Sequence, residues 1–250
     1  MHRLALVTLL LVGCADTGDE GLIILNNTAS TESCSFTGAK DQAFNAHGII
    51  WTGSDQGYLL TPLVQSRITL TEGETDETPR TIFMTGANVT LSVVATTVED
   101  SDSGAFTNAS VTLSGADAQF SKLFSGSLPP SGTANVGFEI IPVATLRTIF
   151  NAVNPGPTQS FHAEVLATVS IFGTLNGDDV ESPRFQFPVT VCNNCVAANR
   201  TDPCTDFTGT ARTGNACNMF QDGVVDCCTN SKNQLVCPAK TEVIEPPPMQ

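Results

Sequence analysis

The residues best suited to chemistry in this chain are its cysteines. The sequence contains nine of them, and seven lie in its last quarter. These seven are Cys192, Cys195, Cys204, Cys217, Cys227, Cys228 and Cys237. A cysteine thiol can form a disulfide, exchange with another disulfide or ligate zinc. Because the surrounding stretch is rich in Asn, Thr, Asp and Gly and has little apolar periodicity, we expect disulfides to replace a hydrophobic core there.

The number of cysteines predicts one long-range bridge. Seven is odd, so full oxidation of this group requires a partner from outside it. Cys34 is the partner that remains once Cys14, which belongs to the N-terminal motif described below, is set aside. We therefore expect a bridge from Cys34 to the C-terminal cysteines. Adjacent Cys227 and Cys228 should have different partners, since bonding to each other would strain the backbone, and the other pairings stay open.

Two alternatives to structural disulfides follow from the spacing of the cysteines. The run Cys192-Asn193-Asn194-Cys195 has the spacing of thioredoxin-type redox sites, but such a site has its first thiol at a helix N-terminus, and here the thiol ends a predicted strand. A zinc module would favour two paired-cysteine ligand sets, and the sequence has one, with no histidine after His162. Disulfides are therefore the preferred interpretation, and we expect neither a metal nor a cofactor.

The N-terminus has the features of a bacterial secretory signal. Arg3 precedes an apolar run from Leu4 to Val12, and Leu11-Val12-Gly13-Cys14 follows the pattern of a lipobox. The segment resembles bacterial lipoprotein precursors. This resemblance implies cleavage between Gly13 and Cys14 and a diacylglyceryl thioether on Cys14. Because the apolar run is too short to cross a membrane, we expect the protein to be anchored by lipid.

The residues after the predicted cleavage site indicate the destination. In enteric bacteria, aspartate directly after the lipidated cysteine retains a lipoprotein in the inner membrane. Here Ala15 occupies that position and Asp16 follows it. We therefore expect an outer-membrane lipoprotein.

From residue 22 onward, apolar and polar residues alternate as in half-buried strands. The alternation is clearest in the runs 64–70, 89–95 and 136–140, and shorter strands are predicted over 22–26, 81–84, 109–113 and 119–124. A long antiparallel hairpin is predicted from 161–171 and 185–191, with Asn176-Gly177 in the connection. Pro142 and Asn154-Pro155 bound a stretch with helical spacing, which predicts one short amphipathic helix.

These elements predict an all-β fold. We expect an antiparallel β-sandwich of immunoglobulin-like architecture, with one short helix and a disulfide-stapled C-terminal module. The expected segments are a signal peptide over 1–13, an acidic tether over 14–20, a β-sandwich domain over 21–191, a Cys-rich module over 192–238 and a flexible Pro-rich tail over 239–250.

The charge of the chain excludes one class of partner. A formal net charge of −14 leaves no Lys/Arg stripe to contact phosphates, so we expect no nucleic acid partner. The carboxylates cluster at 72–77, 99–102 and 178–179, between apolar-periodic stretches, as loops would be. A calcium site built on Asp100 and Asp102 stays an alternative, although the spacing is not that of an EF-hand loop.

Two segments near the C-terminus extend the lipoprotein resemblance. They are Phe187-Pro188-Val189-Thr190-Val191-Cys192-Asn193-Asn194-Cys195 and Gln221-Asp222-Gly223-Val224-Val225-Asp226-Cys227-Cys228. Together with the signal and the β-rich middle, they resemble the uncharacterised cysteine-containing lipoproteins of myxobacteria. That resemblance implies a location and a fold class, and it assigns no catalytic residue.

Residues for catalysis are few. After processing, His47 and His162 are the histidines that remain, and His162 alternates onto the polar face of its predicted strand. The run Gly53-Ser54-Asp55-Gln56-Gly57 lacks the G-x-S-x-G order of a nucleophile elbow. We therefore expect no enzymatic activity, although an unrecognised envelope hydrolase and a calcium-assisted adhesin stay as alternatives.

The expected function is non-catalytic ligand binding or scaffolding in the cell envelope. The expected partners are the membrane, through the N-terminal lipid, and an envelope protein or a glycan. An aromatic-lined groove around Trp51 and Tyr58 would favour glycan or peptide binding, whereas an exposed apolar patch would favour a scaffold.

Overall fold

The computed structural model describes residues 21–70, 72–73, 80–193, 195–198 and 202–240. The predicted signal peptide, the lipidation site Cys14, the tether, part of the acidic cluster at 72–77 and most of the predicted tail lie outside the described residues. No helix in the described part of the chain is long and apolar enough to cross a membrane.

Strands dominate the described residues. They are β1 (Leu22–Thr28), β2 (Phe44–Asn45), β3 (Gly48–Trp51), β4 (Tyr58–Leu60), β5 (Pro62–Ser66), β6 (Ile82–Asp100), β7 (Phe106–Asn108), β8 (Gln119–Leu128), β9 (Thr133–Asn135), β10 (Phe138–Ile141), β11 (Gln159–Leu175), β12 (Asp178–Glu181), β13 (Phe185–Cys192), β14 (Ala197–Ala198), β15 (Val225–Asp226), β16 (Cys228–Thr229) and β17 (Leu235–Val236). One α-helix, α1 (Val143–Val153), and 3₁₀ turns at Gly115–Asp117 and Cys204–Asp206 complete the described elements.

The largest sheet is built around its two longest strands. β6 and β11 pair antiparallel from Gln159 opposite Asp100 to Leu175 opposite Ile82. β13 extends the sheet beyond β11, and β3 adds to β13 in parallel, giving the order β3-β13-β11-β6-β7. β12 also pairs with β11, and β8 pairs with β6. The side-chain alternation of β11 places one set of residues in the core, as the sequence predicts.

A second sheet faces the first across one hydrophobic core. Its strand order is β2-β1-β5-β9, all antiparallel, and β4 and β10 form a separate antiparallel pair. The core cluster joins residues of both sheets, including Leu22 and Val64 on one side and Phe161 and Ile171 on the other. The predicted all-β sandwich with one short helix is therefore confirmed.

Helix α1 lies where the sequence predicts it. It follows Pro142 and ends at Asn154, which adopts the left-handed conformation that commonly ends helices. Leu146 and Ile149 are buried, and the Phe150 ring lies 6.3 Å from that of Phe161 at the start of β11. The helix is thereby fixed against one end of the large sheet.

β11 and β13 pair antiparallel from His162 opposite Cys192 to Val169 opposite Phe185, as predicted. Asn176 and Gly177 lie in the connection with positive φ, and the turn that they form leads first into β12, which also pairs with β11. Two other local predictions need correction. The strand predicted over 64–70 ends at Ser66. No strand forms over 109–113, where Val111 packs into the core without a ladder partner.

The Cys-rich module has little regular structure and small apolar clusters. Its described strands, β14 to β17, have two residues each. One cluster places Val196, Ala197, Val225 and Cys227 against Trp51. Disulfides supply the remaining connections, and they join Cys34 to Cys217, Cys192 to Cys195, Cys204 to Cys228 and Cys227 to Cys237.

The bridge from Cys34 to Cys217 is the long-range connection that the odd number of clustered cysteines predicts. Adjacent Cys227 and Cys228 bond to different partners, also as expected. The bridges therefore tie the N-terminal part of the sandwich to the Cys-rich module and fold the module onto itself.

Candidate functional site

The candidate site is built around Trp51, the single tryptophan of the chain. Trp51 ends β3, where it pairs in parallel register with Cys192 of β13. Its indole Nε1 donates a hydrogen bond of 2.8 Å to the backbone carbonyl of Asn193, and its ring meets that of Phe220 edge-on at 4.8 Å. Gly53 packs on the indole so closely that a Cβ there would overlap the ring. The side chain is thus fixed, with 9% of the residue exposed.

Asn193 holds three strand ends together beside the indole. Its side-chain Oδ1 accepts a hydrogen bond of 2.7 Å from the backbone N–H of Phe161. Its Nδ2 donates one of 3.0 Å to the carbonyl of Gln159, at the start of β11. The Cys192–Cys195 disulfide closes the turn that contains Asn193. Since Cys192 is fully buried at a strand end, this bridge fits a structural role, and its environment is not a helix N-terminus that would activate a thiol.

A groove of about 510 Å³ opens between α1 and the Trp51 segment. We call it the Trp51 groove, and it is lined by Trp51, Thr52, Gly53, Arg147, Phe150, Asn151, Pro155, Gly156, Pro157, Gln159 and Asn193. Helix α1 presents Arg147, Phe150 and Asn151 on one face, because residues three and four apart lie side by side on a helix. The volume is within the range of small-ligand sites.

The chemistry of the Trp51 groove is that of a binding surface. Phe150 is 38% exposed there, and two prolines and the indole add apolar surface. Arg147 is the charged residue of the lining, and it forms no ion pair with any residue that the structure describes. The described lining contains no carboxylate, imidazole or thiol that could act as an acid, a base or a nucleophile.

Tyr58 does not line this groove, so Trp51 and Tyr58 do not form the single aromatic-lined groove that would favour glycan or peptide binding. Tyr58 is fully buried, and its hydroxyl donates a hydrogen bond of 2.7 Å to Oδ2 of Asp222. Asp222 Oδ1 accepts a further bond of 2.8 Å from the backbone N–H of Ile49. Burial raises the pKa of the Asp222 carboxyl, and burial together with the nearby Asp222 charge raises the pKa of Tyr58. These contacts join the Cys-rich module to the sandwich.

His47 and His162 lie away from the groove. His162 is exposed on the outer face of the large sheet, as its alternation predicts. His47 Nε2 lies 3.2 Å from Glu164 Oε2 and 3.1 Å from Thr190 Oγ1. A relay of the hydrolase type needs the acid and the hydroxyl on different ring nitrogens, whereas here both approach the same one.

The remaining candidate residues make local contacts. Ser54 is buried, and its Oγ accepts a hydrogen bond from the backbone N–H of Gln56. Asp100 Oδ1 accepts bonds from the backbone N–H groups of Asp102 and Ser103, and the Ser103 bonds lower the pKa of Asp100. Within the described ranges, no group of three or more His, Cys, Asp or Glu residues is placed to hold a metal ion.

No protein-family model matches the chain, and no curated protein matches it.

The sequence indicated Trp51 but missed the helical wall of the groove. Phe150 follows Ile149 in a run with helical spacing, so both residues fit the apolar stripe. The structure buries Ile149 and leaves Phe150 on the groove. Arg147 and Asn151 carried a weaker signal, namely their position beside that stripe.

Proposed function

We propose that this protein is a lipid-anchored lipoprotein of the bacterial outer membrane that binds an envelope component in the Trp51 groove without catalysis. The observation that carries the proposal is the lining of that groove. It combines exposed Phe150, two prolines and Arg147, which has no ion-pair partner among the described residues, with amide side chains, and the described lining has no carboxylate, imidazole or thiol. Apolar walls with a few polar groups are typical of ligand-binding sites.

The lipid anchor rests on the N-terminal sequence. The lipobox ending in Cys14 and the resemblance to myxobacterial cysteine-containing lipoproteins support processing after Gly13 and lipidation of Cys14. Four disulfides fit an oxidising compartment such as the periplasm or the cell surface. The ligand would be an envelope protein or a glycan, with the membrane contacted through the lipid.

Photocrosslinking in cells tests the groove directly. A photoreactive amino acid replaces Phe150 in the full-length protein, and a matched variant carries it at Leu123, which is 82% exposed and does not line the groove. We expect irradiation to produce a defined adduct from position 150 that is weak or absent from position 123. Equal labelling at both positions would show that the groove holds no specific ligand.

The anchor needs its own test. Replacement of Cys14 by Ser should abolish labelling by a fatty-acid analogue and release the protein from the outer-membrane fraction. A Cys14→Ser variant that still labels, or that still sediments with the outer membrane, would contradict lipid anchoring at this residue. Substitution of Ser33, an exposed residue outside the lipobox, by Ala serves as the control.

A further inference from the structure

A second pocket shares lining residues with the Trp51 groove. It measures about 820 Å³ and contains Met219, Phe220 and Leu235 of the Cys-rich module, so we call it the Met219 pocket. Trp51 and Gly53 line both spaces. Because either space alone already matches the size of a small-ligand site, the pair suits a ligand that is extended and crosses Gly53.

The two spaces carry opposite charge. Arg147 is the charged residue of the Trp51 groove, whereas Asp55 and Glu32 line the Met219 pocket, where no described residue of the lining is basic. All three side chains belong to exposed residues. A chain with a carboxylate at one end and an ammonium at the other would therefore match both spaces in one orientation.

The state of the indole favours a peptide over a glycan. A sugar ring stacks on an open aromatic face, but the Trp51 ring is covered by Gly53 and meets the edge of Phe220. Its Nε1 already donates to Asn193, so it offers no free polar group to a hydroxyl-rich ligand. The apolar walls, by contrast, suit peptide side chains.

We propose, on the basis of the proposed function, that the ligand is an extended peptide lying across Gly53, with its carboxyl terminus at Arg147 and its amino terminus at Asp55 and Glu32. No bond is made or broken. The groove contributes apolar contacts in its middle and one charge contact at each end.

The single tryptophan makes binding measurable. Detergent-solubilised full-length protein is used to select binders from a randomised hexapeptide pool, and the enriched peptides are resynthesised with free, acetylated or amidated ends. Dissociation constants follow from the change in Trp51 fluorescence. The variants are Arg147→Gln and Asp55→Asn, with Lys40→Gln and Asp102→Asn as charge-matched controls at exposed positions that line neither space.

We expect amidation of the carboxyl terminus to weaken binding about fivefold in the wild type, as for a partly exposed ion pair, and to have little effect in Arg147→Gln. Acetylation of the amino terminus should weaken binding by a similar factor in the wild type and less in Asp55→Asn. Both control variants should behave like the wild type.

Three outcomes would overturn the peptide assignment. They are no enrichment of any peptide, equal losses in all variants, or a fluorescence change produced by soluble peptidoglycan saccharides without peptide. The photocrosslinking result distinguishes these failures from failure of the proposed function. If the adduct at position 150 forms but no peptide binds, the Trp51 groove would still be a binding site, and its ligand would not be a peptide.

Discussion

In the sandwich the two longest strands, β6 and β11, pair over their full lengths, whereas no described strand of the Cys-rich module exceeds two residues. The sandwich core joins buried side chains from both sheets in one cluster. The module has two small clusters that include cysteines, and three of the four bridges lie wholly within it. One region is stabilised by many weak contacts and the other by a few strong bonds.

The junction between the two regions, like the module, is held by a few individual bonds. Cys34 is bonded to Cys217, and Tyr58 and Ile49 donate hydrogen bonds to Asp222. Gln221 accepts from the backbone N–H of Leu59 and donates to its carbonyl, both at 2.8 Å. The position of the module, and with it the Met219 pocket, therefore depends on individual bonds that single substitutions can remove.

The largest effect is expected from the long-range bridge. Cys34 and Cys217 are 183 residues apart, and the chain-entropy model assigns such a loop about 5 kcal/mol. The double variant Cys34→Ala/Cys217→Ala should lose most of that free energy of unfolding in urea titration. The matched variant Cys192→Ala/Cys195→Ala removes a bridge of separation 3, for which the same model gives about 2 kcal/mol. Equal losses would show that loop length does not govern these bridges.

Core substitutions test the distributed contacts of the sandwich. Ile171 is fully buried in the main cluster, so Ile171→Ala should cost about 2–5 kcal/mol and raise hydrogen exchange throughout β6 and β11. Val225→Ala, at a fully buried position in a small module cluster, should cost about 1–2 kcal/mol, because fewer side chains contact it. Increased exchange that spreads through the sandwich in Val225→Ala would contradict the separation of the two regions.

The contrast explains how much of the fold could be predicted from the sequence. In a strand with one buried face, apolar residues recur every two positions, so the sequence predicts the buried faces of β6 and β11. Apolar residues at helical spacing likewise predict helix α1. The odd number of clustered cysteines required one of them to bond outside the cluster, to Cys34. It could not select Cys217, because residues in an irregular module carry no periodicity that fixes which of them meet.

Pairings between residues far apart in the chain could not be predicted from the sequence either. β3 adds to β13 in parallel although more than a hundred residues separate them along the chain, and no short-range pattern encodes that register. Tyr58 has an apolar ring and a polar hydroxyl, so its type fits either a groove or a buried site with a partner. Asp222 decides between them, and it lies far away in the sequence.

The junction should be weakened by loss of one hydroxyl. Tyr58→Phe removes one of the four hydrogen-bond donors of the buried Asp222 carboxyl, and we expect a loss of about 1.5–3 kcal/mol in the free energy of unfolding, as for a hydrogen bond to a charged group. Thr190→Val is the matched control, since it also removes a hydroxyl bonded to a carboxylate. Glu164, the acceptor there, has a side chain 40% exposed, so water can replace the lost bond. Similar losses in both variants would reject a special role for the junction.

The smallest effect concerns pH, and it contrasts two aspartates of the module. Burial raises the pKa of Asp222 above its unfolded value of about 3.9, whereas hydrogen bonds from Arg212 lower that of Asp226. The stability that Asp222 contributes is therefore fully present below pH about 4 and is lost as pH rises through its folded pKa. Asp226 contributes stability above pH about 4, which is lost as pH falls through its folded pKa.

Substitution by asparagine separates these two contributions, because the amide does not titrate. The free energy of unfolding is measured by urea titration at a series of pH values. The wild-type value should decline above pH about 4 because of Asp222, and Asp222→Asn should lack that decline. The wild-type value should also rise as pH increases toward about 4 because of Asp226, and Asp226→Asn should lack that rise. Opposite signs are required because desolvation of Asp222 outweighs its four hydrogen-bond donors, while Asp226 is bonded to a cation. If the pH dependence of the free energy of unfolding changed in the same direction in both variants, the hydrogen bonds to Asp222 would outweigh its burial. The junction would then be held by an ionised carboxylate, and acid would weaken the contact between the Cys-rich module and the sandwich while the Cys34–Cys217 bridge still joins them.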